Sequence, residues 1–276
     1  MIKSIQDSVQ LHNGVRMPCL GFGVYKIEDG KEVIQSVKTA LEGGYRSIDT
    51  AAIYRNEEGV GQAIRETGIP RDELFITTKV WNKGQGYDRT LTSFERSLDK
   101  LGLDYVDLYL IHWPVEGLYK ETWKAMEKLY KEGHTKAIGV CNFNGHHLED
   151  LMKDSEIKPM VNQIEFHPRL IQEEVRMFCE ANDIQVVAWS PLMHGKLLDH
   201  PDLIQIGRRY GKSPAQVILR WDLQHGIITI PKSVHEERIY ANTDLFNFQL
   251  TEEEIIKIDA LNRNERFGPD PDNFDF

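Results

Sequence analysis

Residues 46–54 read RSIDTAAIY, and their flanks decide the fold. Arg46–Ile48 is a short β-prone run that delivers Asp49 to a strand end, and a phenol, Tyr54, follows five residues later. Upstream, residues 31–41 carry Val33, Ile34, Val37, Ala40 and Leu41 at helical spacing and stop at Gly43-Gly44. Downstream, a helix after Asn56 carries Val60, Ala63 and Ile64 and closes at Gly68. The stretch is therefore a strand between two amphipathic helices.

That alternation continues to the C-terminus. The run 74–80 (LFITTKV) predicts a strand, followed by a helix from about Asp88 with Leu91, Phe94, Leu98 and Leu101 on one face and Gly102 as its stop. The apolar run 105–111 (YVDLYLI) precedes a helix bearing Trp123, Met126, Leu129 and Tyr130. Strands over 135–140, 160–165 and 185–189 lead to helices over 146–153, 173–181 and 203–210. A further helix over 213–223 opens with Ser213 as its cap and Pro214 at its first position. A strand over 227–230 leads to a short helix over 236–241, and Thr251 with Glu254 forms a capping box for the last helix. Toward the N-terminus, CLGFGV (19–24) reads as a strand, and Asn13-Gly14 between runs 9–11 and 15–17 signals a hairpin.

Eight strand–helix units without a linker or repeat predict a single α/β domain over residues 1–276. The expected architecture is a (β/α)8 TIM barrel with an N-terminal β-hairpin and a short C-terminal tail, GPDPDNFDF. A doubly wound sheet is the competing topology. It would carry GxGxxG after its first strand; here Gly59-Val60-Gly61 falls within a helix and is followed by Ile64 where the third glycine belongs. The Walker pattern is missing too.

The chain of 276 residues is 41% hydrophobic and carries a formal net charge of −10, which argues against wrapping a nucleic-acid backbone. Three widely spaced cysteines without a CxxC pair suit a reducing compartment, and no run approaches a membrane span. MIKSIQDSVQ has no apolar signal core, so a cytoplasmic location is expected.

A barrel gathers its chemistry at the C-terminal ends of its strands. Those ends offer Gly23, Val24 and Tyr25; Asp49 and Tyr54; Lys79 and Trp81; His112 and Trp113; Cys141 and Asn142; Gln163 and Glu165; Trp189 and Ser190; Lys232 and Ser233. Each of the central four has a plainer reading: Tyr54 as packing, Lys79 as a solvated strand end, Asp49 as a cap, His112 as a core histidine. Their common placement favours chemistry. A phenol ionises near pH 10, so ready proton donation calls for a cation beside it, expected to depress that pKa toward the working range, and an anion to hold the cation. Tyr54, Lys79 and Asp49 supply the three parts, and His112 can orient a carbonyl. Tyr25, Trp81 and Trp113 form an aromatic wall suited to small carbonyl substrates. Lys232 and Arg238, with Lys212 as a possible third, make the basic cluster where a phosphate would go in so acidic a chain. His146-His147 is read as surface, with no HExxH pattern and no metal site expected; Glu165 and His167 are read as structural.

GFGVYK, GYRSIDTAAIYRNEEGVG, LFITTKVW, LGLDYVDLYLIHWP, AIGVCNF, VNQIEFHP, AWSPL and IPKSVHEERIYAN together resemble the aldo-keto reductases, in order, from about Leu11 to Pro269. The likeness is greatest to short bacterial members described as glyoxal or methylglyoxal reductases and to 2,5-diketo-gluconate reductases. It implies a barrel that uses NADPH without a Rossmann domain. It implies catalysis by Asp49, Tyr54, Lys79 and His112, with Tyr54 donating the proton to a small aldehyde or α-dicarbonyl. By the same resemblance Asn142 and Gln163 meet the carboxamide, Trp189 stacks on the nicotinamide, and Ser190 and Leu192 approach the pyrophosphate. Lys232, Ser233, Arg238 and Asn242 hold the adenosine and its 2′-phosphate. Gly23, Val24, Asp49, Cys141, Ile230 and Val234 complete the implied cofactor contacts.

Two departures stand out. Cys141 replaces a serine common in the family, and a thiol is a weaker donor. Tyr25 stands where many members have tryptophan. The short tail is expected to leave one side of the pocket open. A monomer is the default expectation. Two alternatives remain at this stage: a Schiff-base aldolase using Lys79, and a nucleotide-binding regulatory or scaffold barrel.

Overall fold

The computed structural model describes residues 2–276. Strands β1 (Ser8–Gln10) and β2 (Arg16–Pro18) pair antiparallel, with Val9 opposite Met17. Asn13-Gly14 makes the predicted turn: Gly14 N–H donates to Leu11 O at 2.8 Å, with Gly14 at φ 89°.

The barrel follows: β3 (Phe22–Gly23), α1 (Lys31–Glu42), β4 (Ser47–Asp49), α2 (Glu57–Thr67), β5 (Phe75–Val80), α3 (Tyr87–Leu101), β6 (Val106–Ile111), α4 (Tyr119–Lys131), β7 (Thr135–Cys141) and α5 (Gly145–Asp154). It continues through β8 (Val161–Glu165), α6 (Glu173–Ala181), β9 (Gln185–Trp189), α7 (Pro201–Tyr210), α8 (Pro214–Gln224), β10 (Ile228–Thr229), α9 (Glu236–Ala241) and α10 (Glu252–Asp259). All eight barrel strands are parallel and lie in sequence order from β3 to β10.

The predicted first barrel strand over 19–24 is shorter than expected, because its N-terminal half makes the seam that closes the barrel. Thr229 N donates to Cys19 O at 3.2 Å, Gly21 N to Thr229 O at 3.0 Å and Gly23 N to Pro231 O at 3.1 Å. A Cβ on Gly23 would stand 3.1 Å from Ile230 O, so a residue without one lets the two ends meet.

Strands β5 and β6 are buried at every position, as expected of parallel strands covered by helices. The one charge in YVDLYLI, Asp107, sits at the end of the barrel opposite Lys79. Arg71 at 2.7 Å and Lys136 at 2.9 Å pair with it, and both cations lie over the Tyr105 ring. The capping predictions are met: Ser213 with Gln216, and Thr251 with Glu254, form reciprocal boxes. Among the described residues no helix is long and apolar enough to cross a membrane.

Candidate active site

Strand alternation aims the central residues. Asp49 ends β4 and lies in register with Thr77 of β5; two residues on, Lys79 shares the face of Thr77. Thr78, between them, faces the other way and donates from its hydroxyl to Glu57 of α2 at 2.7 Å. Lys79 therefore extends inside the barrel, with no exposed surface. Its Nζ donates to Asp49 Oδ1, to Thr50 O at 3.0 Å and to the Tyr54 hydroxyl at 3.3 Å. Tyr54 belongs to a 3-10 turn, Ala52–Tyr54, between β4 and α2. Asn56, wholly buried, braces that loop: it accepts from Thr50 Oγ1 at 2.9 Å and donates to Val24 O and Ile27 O. His112, the residue after β6, presents its ring edge-on to Tyr54 at 5.6 Å between centroids. The structure thus brings Asp49, Tyr54, Lys79 and His112 together at the predicted end of the barrel.

The electrostatics differ from the expectation in one respect. Burial raises the Tyr54 pKa, Lys79 offsets part of that rise and Asp49 adds to it, so the net shift is upward. The expected net depression by the ammonium is not reached, because removing a phenolate from water costs more than one nearby ammonium returns. Tyr54 is a neutral acid in this state. Burial alone would lower the Lys79 pKa, but the Asp49 carboxylate against its ammonium outweighs it and Lys79 stays charged. A Schiff base needs a neutral amine, so the aldolase alternative loses its nucleophile. Burial, then the Lys79 charge, holds His112 well below the usual imidazole range, hence neutral.

The next three strand ends join this group through hydrogen bonds. Gln163 Nε2 donates to Asp49 Oδ2 at 2.7 Å, and the Cys141 thiol, kept protonated by burial, lies 3.8 Å from Gln163 Oε1. Asn142 donates to His112 O at 3.0 Å and accepts from Trp189 Nε1 at 2.8 Å. Asn142 and Ser190 both adopt left-handed backbone, φ 64° and 54°, which turns the chain sharply as β7 and β9 end.

Other predicted contacts are more dispersed. Lys232 and Arg238 are exposed after β10, and neither has a carboxylate partner among the described residues. Ser233 is buried and accepts from His235 N at 3.1 Å; Asn242 is buried at the end of α9. Leu192 and Val234 are half-buried, and Ile230 is buried beside the seam. Val24 does not fit its implied role, since it is fully enclosed and its N–H and C=O are taken by Asp49 O and Asn56. Lys212 leaves the basic cluster, its ammonium being 2.5 Å from Asp244.

The pocket wall holds the largest surprise. Tyr25 is 51% exposed and packs at 5.0 Å on Tyr54; Trp81 stands edge-on to His112 at 5.2 Å. The tail covers the side expected to be open. Phe276 stacks on Trp81, Phe274 and Phe276 pack on Trp113, and Asn82 Nδ2 donates to Phe276 O at 2.8 Å. Two anchors bring it there. Buried Glu165 accepts from Phe267 N at 2.7 Å and Gly268 N at 3.2 Å. Gly268 lies so close to Trp189 that a Cβ would fall 2.3 Å from the indole. Asp272 meets Asn144 at 2.9 Å, His146 at 3.0 Å and His147 at 3.4 Å. The two histidine rings therefore converge rather than pointing apart. His147 Nδ1 accepts from Asn144 N, which puts its proton on Nε2 and makes that nitrogen a donor to Asp272 rather than a metal ligand. The sequence signal was two phenylalanines in an otherwise polar tail.

The profile of the aldo/keto reductase family matches residues 19–263. This chain belongs to that family. The reductase is 62% identical over 276 residues to a glyoxal reductase from Bacillus subtilis (strain 168), covering all of both chains. It is 46% identical over 270 residues to the methylglyoxal reductase DkgA of Escherichia coli (strain K12), covering 96% of this chain and 97% of that one. A crystal structure of a Bombyx mori aldo-keto reductase in complex with NADP superposes with a TM-score of 0.91 at 38% identity, covering 99% of this reductase and 97% of that chain. The reductase is an NADP-dependent oxidoreductase with the (β/α)8 fold and NADP(H) as cofactor. Its donor set fits that group: two exposed cations after β10, without carboxylate partners among the described residues, for phosphate, and buried amides at β7 and β8 for a carboxamide.

Proposed function

We propose that this reductase converts small aldehydes and α-dicarbonyls of the glyoxal and methylglyoxal kind to alcohols, with Tyr54 as proton donor. The reading is supported by the names of its relatives and carried by one observation: Lys79 bonds Asp49 and the Tyr54 hydroxyl at once. NADPH supplies the hydride to the carbonyl carbon. Tyr54 gives its proton to the carbonyl oxygen, and the phenolate left behind faces the Lys79 ammonium. Asp49 keeps that ammonium charged and aimed. Neutral His112 offers an N–H to the same oxygen without placing a second cation beside Lys79. Asn142 and Gln163 hold the carboxamide, Trp189 the nicotinamide face, Ser190 and Leu192 the pyrophosphate. Lys232, Ser233, Arg238 and Asn242 hold the adenosine and its 2′-phosphate, with Gly23, Ile230 and Val234 bordering that path. Tyr25, Trp81, Trp113 and the tail phenylalanines wall the substrate side. The reading takes residues 1–276 as one domain, acting as a cytoplasmic monomer.

The test follows NADPH absorbance with methylglyoxal for wild type and Tyr54→Phe, which keeps the ring. Turnover should fall by about 100- to 10,000-fold, with NADPH binding, followed by fluorescence, retained. Equal oxidation rates in the two proteins would remove Tyr54 from the acid role.

A further inference from the structure

The bond from Gln163 Nε2 to Asp49 Oδ2, 2.7 Å long, runs across the barrel. Its strands, β8 and β4, are separated in the sheet by β7, β6 and β5, so no backbone ladder holds the two residues together. Both side chains are buried, Gln163 at 1% and Asp49 at 4% exposure. A carboxylate so enclosed needs partners on both oxygens. Lys79 serves Oδ1 and Gln163 serves Oδ2.

We propose that Gln163 is a positioning residue for the proton-donor group, a strut that fixes Asp49 so that Lys79 stays aimed at Tyr54. The family resemblance gives Gln163 a cofactor contact only; the strut is additional to it. The amide can serve both ends. Its Nε2 spends one of two protons on Asp49, while among the described residues Oε1 has only the long Cys141 thiol contact at 3.8 Å, the weaker bond and the easier to exchange. Gln163 thereby joins the carboxamide end of the cofactor site to the residue that sets the charge beside Tyr54. This catalytic half rests on the reductase reading; the strut itself rests on the cofactor-free geometry.

Gln163→Glu tests the strut without substrate or cofactor. It would place a second carboxylate against Asp49, and two carboxylates at that distance cannot both ionise. The pair holds a proton that the unfolded chain gives up, so stability falls as pH rises above the ordinary carboxylate range. The gap in Tm between wild type and Gln163→Glu should widen from pH 5 to pH 8. Adding Asp49→Asn swaps acid and amide, and should recover Tm at pH 8 relative to Gln163→Glu alone. A gap independent of pH, or a double variant no more stable than Gln163→Glu, overturns the strut. If Gln163→Glu does not fold at either pH, Gln163→Ala decides. At saturating NADPH its kcat should fall at least about 10-fold and the basic limb of its pH profile should move, as expected when a hydrogen bond to a charged group is lost. A raised Kd for NADPH with kcat and pH profile unchanged leaves a cofactor contact alone and sinks the proposal. Wild type that turns over no carbonyl would sink the reductase reading and leave the unfolding comparison standing.

Discussion

Phe276 lies flat on Trp81, ring centroids 5.7 Å apart and planes 6° from parallel. The same ring meets Trp113 edge-on at 5.2 Å, and Trp81 in turn meets His112. The tail thus packs on the two tryptophans beside the proton-donor group.

Phe276→Ala should loosen that packing. An aromatic pair contributes about 0.5–1.5 kcal/mol beyond its area. KM for methylglyoxal is therefore expected to rise about 2- to 10-fold, while a bulkier carbonyl is accepted at least as well as by wild type. Steady-state kinetics on the two substrates checks both halves, and an unchanged ratio of kcat/KM values would show that the ring plays no part in selection.

Lys232→Ala and Arg238→Ala should each weaken NADPH more than NADH. Both cations are exposed and have no carboxylate partner among the described residues, so each is available for a phosphate. A charge-assisted bond of about 1.5–3 kcal/mol corresponds to roughly 10- to 100-fold in NADPH affinity. Fluorescence titration with the two nucleotides measures the ratio, and raised salt should shrink the difference.

His112 gives a pH expectation of definite sign. Burial and the Lys79 charge depress its pKa, so the folded chain leaves it neutral where the unfolded chain protonates it. Stability from this group is complete above the ordinary histidine pKa and declines as pH falls below it. Thermal unfolding from pH 7 to pH 5 should show His112→Gln losing less Tm than wild type. The kcat/KM profile should carry no ionisation near pH 6.5 from this residue.

Asp222 has the opposite sign. It is fully buried, accepts from Thr229 Oγ1 at 2.7 Å through Oδ2, and leaves Oδ1 without a partner among the described residues. Burial raises its pKa well above the carboxylate range, so the folded chain holds a proton that the unfolded chain releases. Its contribution falls as pH rises above the unfolded value. Asp222→Asn, neutral at every pH, should raise Tm at pH 8 and change it little at pH 4. A uniform shift at both would show that the carboxyl group does not titrate there.

The helix stops and caps were legible because each depends on a few neighbouring residues. Gly68 and Gly102 take the left-handed backbone that ends α2 and α3, and Ser213 and Thr251 cap as their spacing indicates. The four central residues were legible because a barrel brings its strand ends together wherever they lie in the chain. The shortened β3 was not, since Cys19–Gly21 looks like any other β-prone run until it meets Thr229. The protonation of Tyr54 was also hidden. A neighbouring cation can be read from residue types, whereas the opposing cost depends on how completely the phenol is enclosed.

The sequence by itself determined the barrel, the order of its eight units and the residues that gather at its strand ends, because alternation of strand and helix periods is local and strand ends follow from it. Only the tertiary structure decided the strut from Gln163 to Asp49, the docking of Phe267 and Gly268 on Glu165, and the bond from Asn82 to Phe276. These contacts join residues 114, 102 and 194 positions apart. No local pattern encodes them, because each arises from how the closed barrel places side chains of distant strands and the tail within reach of one another.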